Sequence, residues 1–161
     1  MKKERLEAEI RQCREGDLSE VCAIENRNFP TPNSKRWFRS RIHRSSGDFL
    51  VAADGKSVLG YAIGIVERDF KLSELGFKKR GHLLDIAVKE EERRRGIGTS
   101  LLKTLLDRFK EKGVKSIRLE VRTQNTGARK FYRSLGLEKK ELVEGYYPNG
   151  DDALVMRKMI G

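Results

Sequence analysis

Gly81-His82-Leu83-Leu84-Asp85-Ile86-Ala87-Val88 is followed by a charged turn that closes on Arg93-Arg94-Arg95-Gly96-Ile97-Gly98, and then by Leu101, Leu102, Leu105, Leu106 and Phe109 at helical spacing. An apolar, β-prone run, a basic glycine turn and an amphipathic helix therefore stand in immediate succession. Gly113 ends the helix as a residue suited to the left-handed conformation. Backbone N–H groups at such a helix start can hold a phosphate, because the first turn leaves its donors unpaired and the helix dipole favours negative charge. Glycine lets the backbone approach phosphate oxygens closely and visit positive φ, while the arginines add charge from the rim. Taken by itself, the turn fits a solvated basic loop equally well.

Working outward, Ile10 to Arg14 reads as a short strand, and Asp17-Leu18-Ser19-Glu20 has the acidic N-cap and N3 Glu of a capping box. The helix it opens turns Val21, Cys22 and Ile24 inward and ends near Asn28-Phe29-Pro30-Thr31-Pro32-Asn33, where prolines forbid continuation. Asn33 or Ser34 can cap a second helix that carries Trp37, Phe38 and Ile42. Phe49 to Ala53 and Val58 to Val66 form a hairpin across Asp54-Gly55-Lys56. Glu67 to Lys79 is polar and irregular, an excursion suited to a lid or substrate rim. Ser116 to Arg122 alternates, with Ile117, Leu119 and Val121 on one face and Arg118, Glu120 and Arg122 on the other. Asn125 or Thr126 opens a short helix through Tyr132 that Gly136 closes, and Leu142 to Tyr147 and Ala153 to Met159 finish as strands around Pro148-Asn149-Gly150-Asp151.

The 161 residues fit a single domain, 1–161, with a charged extension over residues 1–9. Cys13 and Cys22 lack C-x-x-C spacing, and with only His43 and His82 beside them they make no familiar zinc site, so no metal is expected. They read as buried thiols of a reducing compartment. Met1 to Glu9 is charged but no apolar h-region follows, and no stretch is apolar enough to span a bilayer, so a soluble cytoplasmic protein with no membrane partner is expected. The net charge of +11 draws in polyanions. A phosphorylated cofactor or a ribosome association accounts for it as well as nucleic acid does, and no stripe of basic and aromatic residues marks a dedicated nucleic-acid site.

With these motifs in order, the chain resembles the GNAT superfamily of acetyl-CoA-dependent N-acetyltransferases, whose loop pattern R/Q-x-x-G-x-G/A is matched by Arg93, Gly96 and Gly98. Gly81 to Val88 looks like the family's fourth strand, and Glu120-Val121-Arg122 with Asn125, Ala128 and Tyr132 looks like its fifth strand and following helix. The resemblance implies an α/β fold with a mixed, mostly antiparallel central sheet of six to seven strands and about four flanking helices. It implies acetyl-CoA contacts from Ile86, Ala87 and Val88, from Arg93, Arg94, Arg95, Gly96, Ile97, Gly98 and Thr99, and from Asn125 and Ala128. Tyr132 would serve the departing thiolate.

Gly145-Tyr146-Tyr147-Pro148-Asn149-Gly150-Asp151-Asp152-Ala153 is similar to the G-Y-Y-x-x-G-x-D-A segment of archaeal and eukaryotic protein N-terminal acetyltransferases. By that resemblance Tyr146 and Tyr147 would wall the substrate peptide, with Phe29 and Pro30 opposite; the Phe-Pro pair is also similar to that of bacterial ribosomal-protein alanine acetyltransferases. A Leu-Pro-Glu-Asn version of this loop is absent, which points to tolerance of Met or larger first residues rather than small or acidic ones. His82 and Glu120 would take the proton of the substrate amine through water. By composition alone Tyr146 and Tyr147 are an edge strand, Tyr132 is core and Glu120 is a polar face. The implied activity is acetyl transfer to protein N-termini. A small-molecule or lysine acetyltransferase of the same fold, or a non-catalytic ribosome- or RNA-binding module, are the alternatives.

Overall fold

A computed structural model describes residues 8–44, 48–55, 57–69 and 78–161. Its strands are β1 (Glu9–Gln12), β2 (Phe49–Asp54), β3 (Ser57–Asp69), β4 (Lys78–Val88), β5 (Ser116–Arg122), β6 (Glu138–Val143) and β7 (Ala153–Met159). Its helices are α1 (Leu18–Asn28), α2 (Lys35–Arg44), α3 (Ile97–Glu111) and α4 (Thr126–Ser134). The strands make one seven-stranded sheet in the order β1-β2-β3-β4-β5-β7-β6. Pairs β1–β2, β2–β3, β5–β7 and β6–β7 run antiparallel and β4–β5 runs parallel. A parallel neighbour needs a crossover, and α3 lies in the connection between β4 and β5. The α/β class, the mixed sheet and four helices agree with the sequence reading.

The chain divides into two compact units. The first, Met1–Ile63 with Asp85–Leu106, packs α1, α2 and the first half of α3 on β2 and the start of β3. Phe49 to Ala53 are all buried, as befits a strand covered on both faces. The Phe38 ring lies 6.0 Å from Phe49 and 5.6 Å from Tyr61, edge-on to the latter. Gly60 is required where it stands, because a Cβ would come within 2.9 Å of the Ala87 carbonyl oxygen.

The second unit, Gly64–Leu84 with Asp107–Gly161, is built on β5 and β7, whose Ile117, Leu119, Val121 and Ala153 to Met156 are buried together with Phe109 and Leu137. The predicted alternation of β5 holds through Glu120, but Arg122 is buried as well. β6 is the edge strand, and its Glu138-Lys139-Lys140-Glu141 are exposed charges of the kind that discourage edge pairing.

Three local expectations change. Asp17 does not cap α1; its carboxylate accepts from the Arg14 N–H at 2.8 Å and pairs with Arg11 at 2.7 Å, while Glu20 accepts from the Val58 N–H. The polar span from Glu67 is not all loop: β3 runs on to Asp69 and β4 starts at Lys78, because a polar sequence is no obstacle to a strand bonded through its backbone. Lys56 and residues 70–77, part of the proposed turn and rim, lie outside the described residues. The penultimate strand is Glu138–Val143 rather than Leu142 to Tyr147, so the two tyrosines belong to the turn after it.

Candidate active site

The basic glycine turn lies in the first unit, directly before α3. Arg94 and Gly96 both have positive φ, 66° and 78°, and the Ser100 N–H bonds to the Gly96 carbonyl at 2.9 Å, which starts the helix there. The amides of Ile97, Gly98 and Thr99 thus sit in the first turn, where α-helical geometry gives them no partner of their own. A fifteen-residue helix behind an open glycine backbone suits a pyrophosphate. The arginines differ in use. Arg93 donates to the Asn28 side chain at the end of α1, Arg95 pairs with Glu92 at 3.0 Å, and Arg94 is exposed with its backbone in the left-handed region. In β4, Ala87 is buried and Ile86 and Val88 are half-buried; the Ile86 N–H is directed at the carboxyl of Asp85.

The residues expected to handle the proton, His82 and Glu120, lie in the second unit. His82 and Glu120 meet, with Nε2 and Oε2 2.6 Å apart and both side chains about a tenth exposed, at 11% and 10%. Parallel pairing of β4 with β5 puts His82 opposite Arg118, and Glu120 follows on the same face. Gly81 allows this placement, since a Cβ there would fall 2.6 Å from the Phe109 ring. Burial works to raise the Glu120 carboxyl, but its bonds to His82 and the charge of Arg118 outweigh it and hold the carboxyl below its ordinary range. In α4, Asn125 caps the helix by accepting from the Ala128 N–H at 3.2 Å, and Tyr132 is buried with its ring 5.4 Å from Phe131.

Tyr146 and Tyr147 stand edge to face with centroids 5.0 Å apart; Tyr146 is 47% exposed. Their turn is fastened from β5, because Arg122 lies 3.8 Å over the Tyr147 ring and donates to Asp151 at 3.0 Å. Asp152 accepts from the Gly145 N–H at 2.9 Å and closes the other side. Phe29 is half-buried and Pro30 exposed on the loop between α1 and α2. Buried Glu25 fastens that loop, accepting from the Asn33 backbone and side chain at 3.0 and 3.1 Å and from the Tyr61 hydroxyl. The Asn33 amide also reaches Asp85 at 3.3 Å.

The sequence reading did not single out Glu67, Arg118, Arg122 or the Glu25–Asn33–Asp85 cluster. Only the last carried a signal in the sequence, acidic residues at inward-facing positions of an apolar helix and an apolar strand. Burial pushes the Cys13 thiol up to about 12, so it is a core group rather than a nucleophile. Among the described residues no cluster of His, Cys, Asp or Glu could hold a metal, and no helix is long and apolar enough to cross a membrane.

The model of the Acetyltransferase (GNAT) family matches residues 18–137, and the chain belongs to that family. It is 32% identical over 152 residues to an N-alpha-acetyltransferase of Saccharolobus solfataricus, covering 92% of this chain and 91% of the relative. It is also 32% identical over 143 residues to the ribosomal protein bS18-alanine N-acetyltransferase of Escherichia coli, covering 87% and 89%. Among solved structures, Arabidopsis thaliana Naa50 in complex with the bisubstrate analogue CoA-Ac-MVNAL superposes with a TM-score of 0.78 at 25% identity, over 94% of this chain and 97% of that one. The protein is therefore an acetyltransferase with acetyl-CoA as co-substrate.

Proposed function

We propose that this acetyltransferase modifies the N-terminal α-amine of protein substrates by direct transfer in a ternary complex, with residues 1–161 acting as one catalytic domain. The observation that carries the reading is the contact of His82 with Glu120 at 2.6 Å on the sheet face. Similarity to enzymes named for N-alpha acetylation, and to one solved in complex with the bisubstrate analogue CoA-Ac-MVNAL, supports it.

In this reading the amides of Ile97, Gly98 and Thr99 and the rim of Arg93, Arg94 and Arg95 hold the phosphates, with Gly96 keeping the approach open. Ile86, Ala87 and Val88, with Asn125 and Ala128, line the acyl arm. The substrate ammonium passes one proton through water to the His82–Glu120 pair. The neutral amine forms a bond to the acetyl carbonyl carbon as the carbon–sulfur bond breaks. The sulfur leaves as a thiolate, which the Tyr132 hydroxyl protonates; the acylated nitrogen releases its second proton to water, and the Tyr132 oxygen takes one back from water. Tyr146 and Tyr147 wall the peptide, and Phe29 and Pro30 admit Met or larger first residues. The two unpaired cysteines support a reducing, cytoplasmic setting, and the charge of +11 with the similarity to a ribosomal-protein acetyltransferase supports a ribosome association.

The test is to incubate the protein with acetyl-CoA and peptides that vary in their first residues, and to locate the acetyl group by mass spectrometry. Transfer to α-amines, best with Met-initiated peptides, is the expected result. Acetylation of lysine side chains or small amines alone would replace the reading.

A further inference from the structure

His82 and Glu120 are not an isolated pair. His82 Nδ1 faces Glu67 Oε1 of β3 at 3.2 Å, while Nε2 faces Glu120 at 2.6 Å. Arg118 closes the circuit. It donates to the second Glu120 oxygen at 2.5 Å and to both Glu67 oxygens at 3.2 and 3.1 Å. Four side chains from three adjacent strands thus form a ring of ion pairs, with Glu67 and Arg118 at its more exposed side, at 37% and 28%.

The charges of this ring decide what it can do. With a neutral imidazole, two carboxylates and one guanidinium sum to −1; one added proton makes the ring neutral. A neutral imidazole can donate only one N–H, so one of its two carboxylate contacts is left unfavourable until that proton arrives. The ring is therefore built to take up one proton. Glu67 favours its arrival and Arg118 opposes it.

We propose that Glu67 and Arg118 are positioning residues that act in opposite directions on the proton affinity of the His82–Glu120 pair, Glu67 strengthening it and Arg118 restraining it so that the pair is free to accept the proton of the substrate amine. The inference rests on the proposed N-terminal acetylation for its catalytic meaning. Other described charges near the pair are Arg80, two residues before His82 on the same strand face, Arg157 of β7 opposite Arg118, and Tyr146.

The experiment compares Glu67→Gln, Arg118→Met and Arg118→Lys with the unsubstituted protein. One readout is the pH profile of kcat with a Met-initiated peptide. The other is the NMR titration of the His82 imidazole, for which His43, the only other histidine, is an internal control. Glu67→Gln should move the acidic limb and the His82 titration to lower pH, and Arg118→Met should move both to higher pH. Each shift should be about half to one pH unit, the lower part of the range for a neighbouring charge because both groups are partly exposed. Arg118→Lys should return both readouts close to the unsubstituted values, and peptide KM should change little throughout. Shifts in the same direction, or none in either readout, overturn the proposal. If no α-amine is acetylated at all, the functional reading fails, and the opposed NMR titrations still decide whether Glu67 and Arg118 tune the pair.

Discussion

Replacing Asp85 with Asn should stabilise this protein at neutral pH. Asp85 is 9% exposed and shares its surroundings with Glu25, which is 1% exposed; Asn33 donates to both, and the Tyr61 hydroxyl donates to Glu25. Burial, and after it the hydrogen bond and charge of Glu25, push the Asp85 carboxyl well above its ordinary range, so the folded protein keeps a proton that the unfolded chain releases. The sign follows from linkage. A raised folded value gives a contribution that is complete below the unfolded value of about 3.9 and is lost as pH climbs to the folded value.

Each pH unit in that window removes about 1.4 kcal/mol. In Asp85→Asn the amide N–H₂ can replace the shared proton toward Glu25 while its oxygen still accepts from Asn33, so the bonds survive and the titration disappears. The variant should gain about 1.4 kcal/mol or more at pH 7.5, if the window spans at least one pH unit, and a Tm rise of roughly 2–4 °C per kcal/mol. Urea unfolding from pH 4.5 to 8 measures both proteins. Their stabilities should converge toward the acid end. A variant less stable at pH 7.5, or one with the same pH slope, would refute the shared-proton account.

Gly96→Glu should abolish acetyl-CoA binding in calorimetry, because it sets a carboxylate at the anion turn and places a side chain at φ +78°, a backbone cost of roughly 1–2 kcal/mol that leaves the fold intact. Gly81→Ala should destabilise by about 1–3 kcal/mol in denaturant, since its Cβ meets the Phe109 ring at 2.6 Å, and Phe109→Leu in the same chain should recover part of the loss; additive losses would contradict that contact. Tyr146→Ala should raise peptide KM several-fold to about tenfold and leave acetyl-CoA KM alone, as removal of an aromatic wall contact predicts, in steady-state assays with each substrate varied. Tyr132→Phe should lower kcat without moving the acidic limb, because its proposed work is on the leaving thiolate.

Periodicity and turn chemistry determined much of this protein directly. The run from Gly81 through the glycine turn to Phe109 reads as strand, turn and helix because the apolar spacing and the left-handed demand of Gly96 are local properties. Ser116–Arg122, the Asn125 cap and the final strand are legible for the same reason. His82 and Glu120 could be named only through a family resemblance; nothing local tells that residues 38 positions apart will touch. Strand pairing decided that, by setting His82 opposite Arg118 and bringing Glu67 of β3 to the same face. The roles of Arg122 over Tyr147, of Arg93 against Asn28 and of Glu25 with Asp85 were decided in the same way. A charged residue on a strand or helix looks solvated in sequence, and only the fold supplies the buried partner that makes it structural.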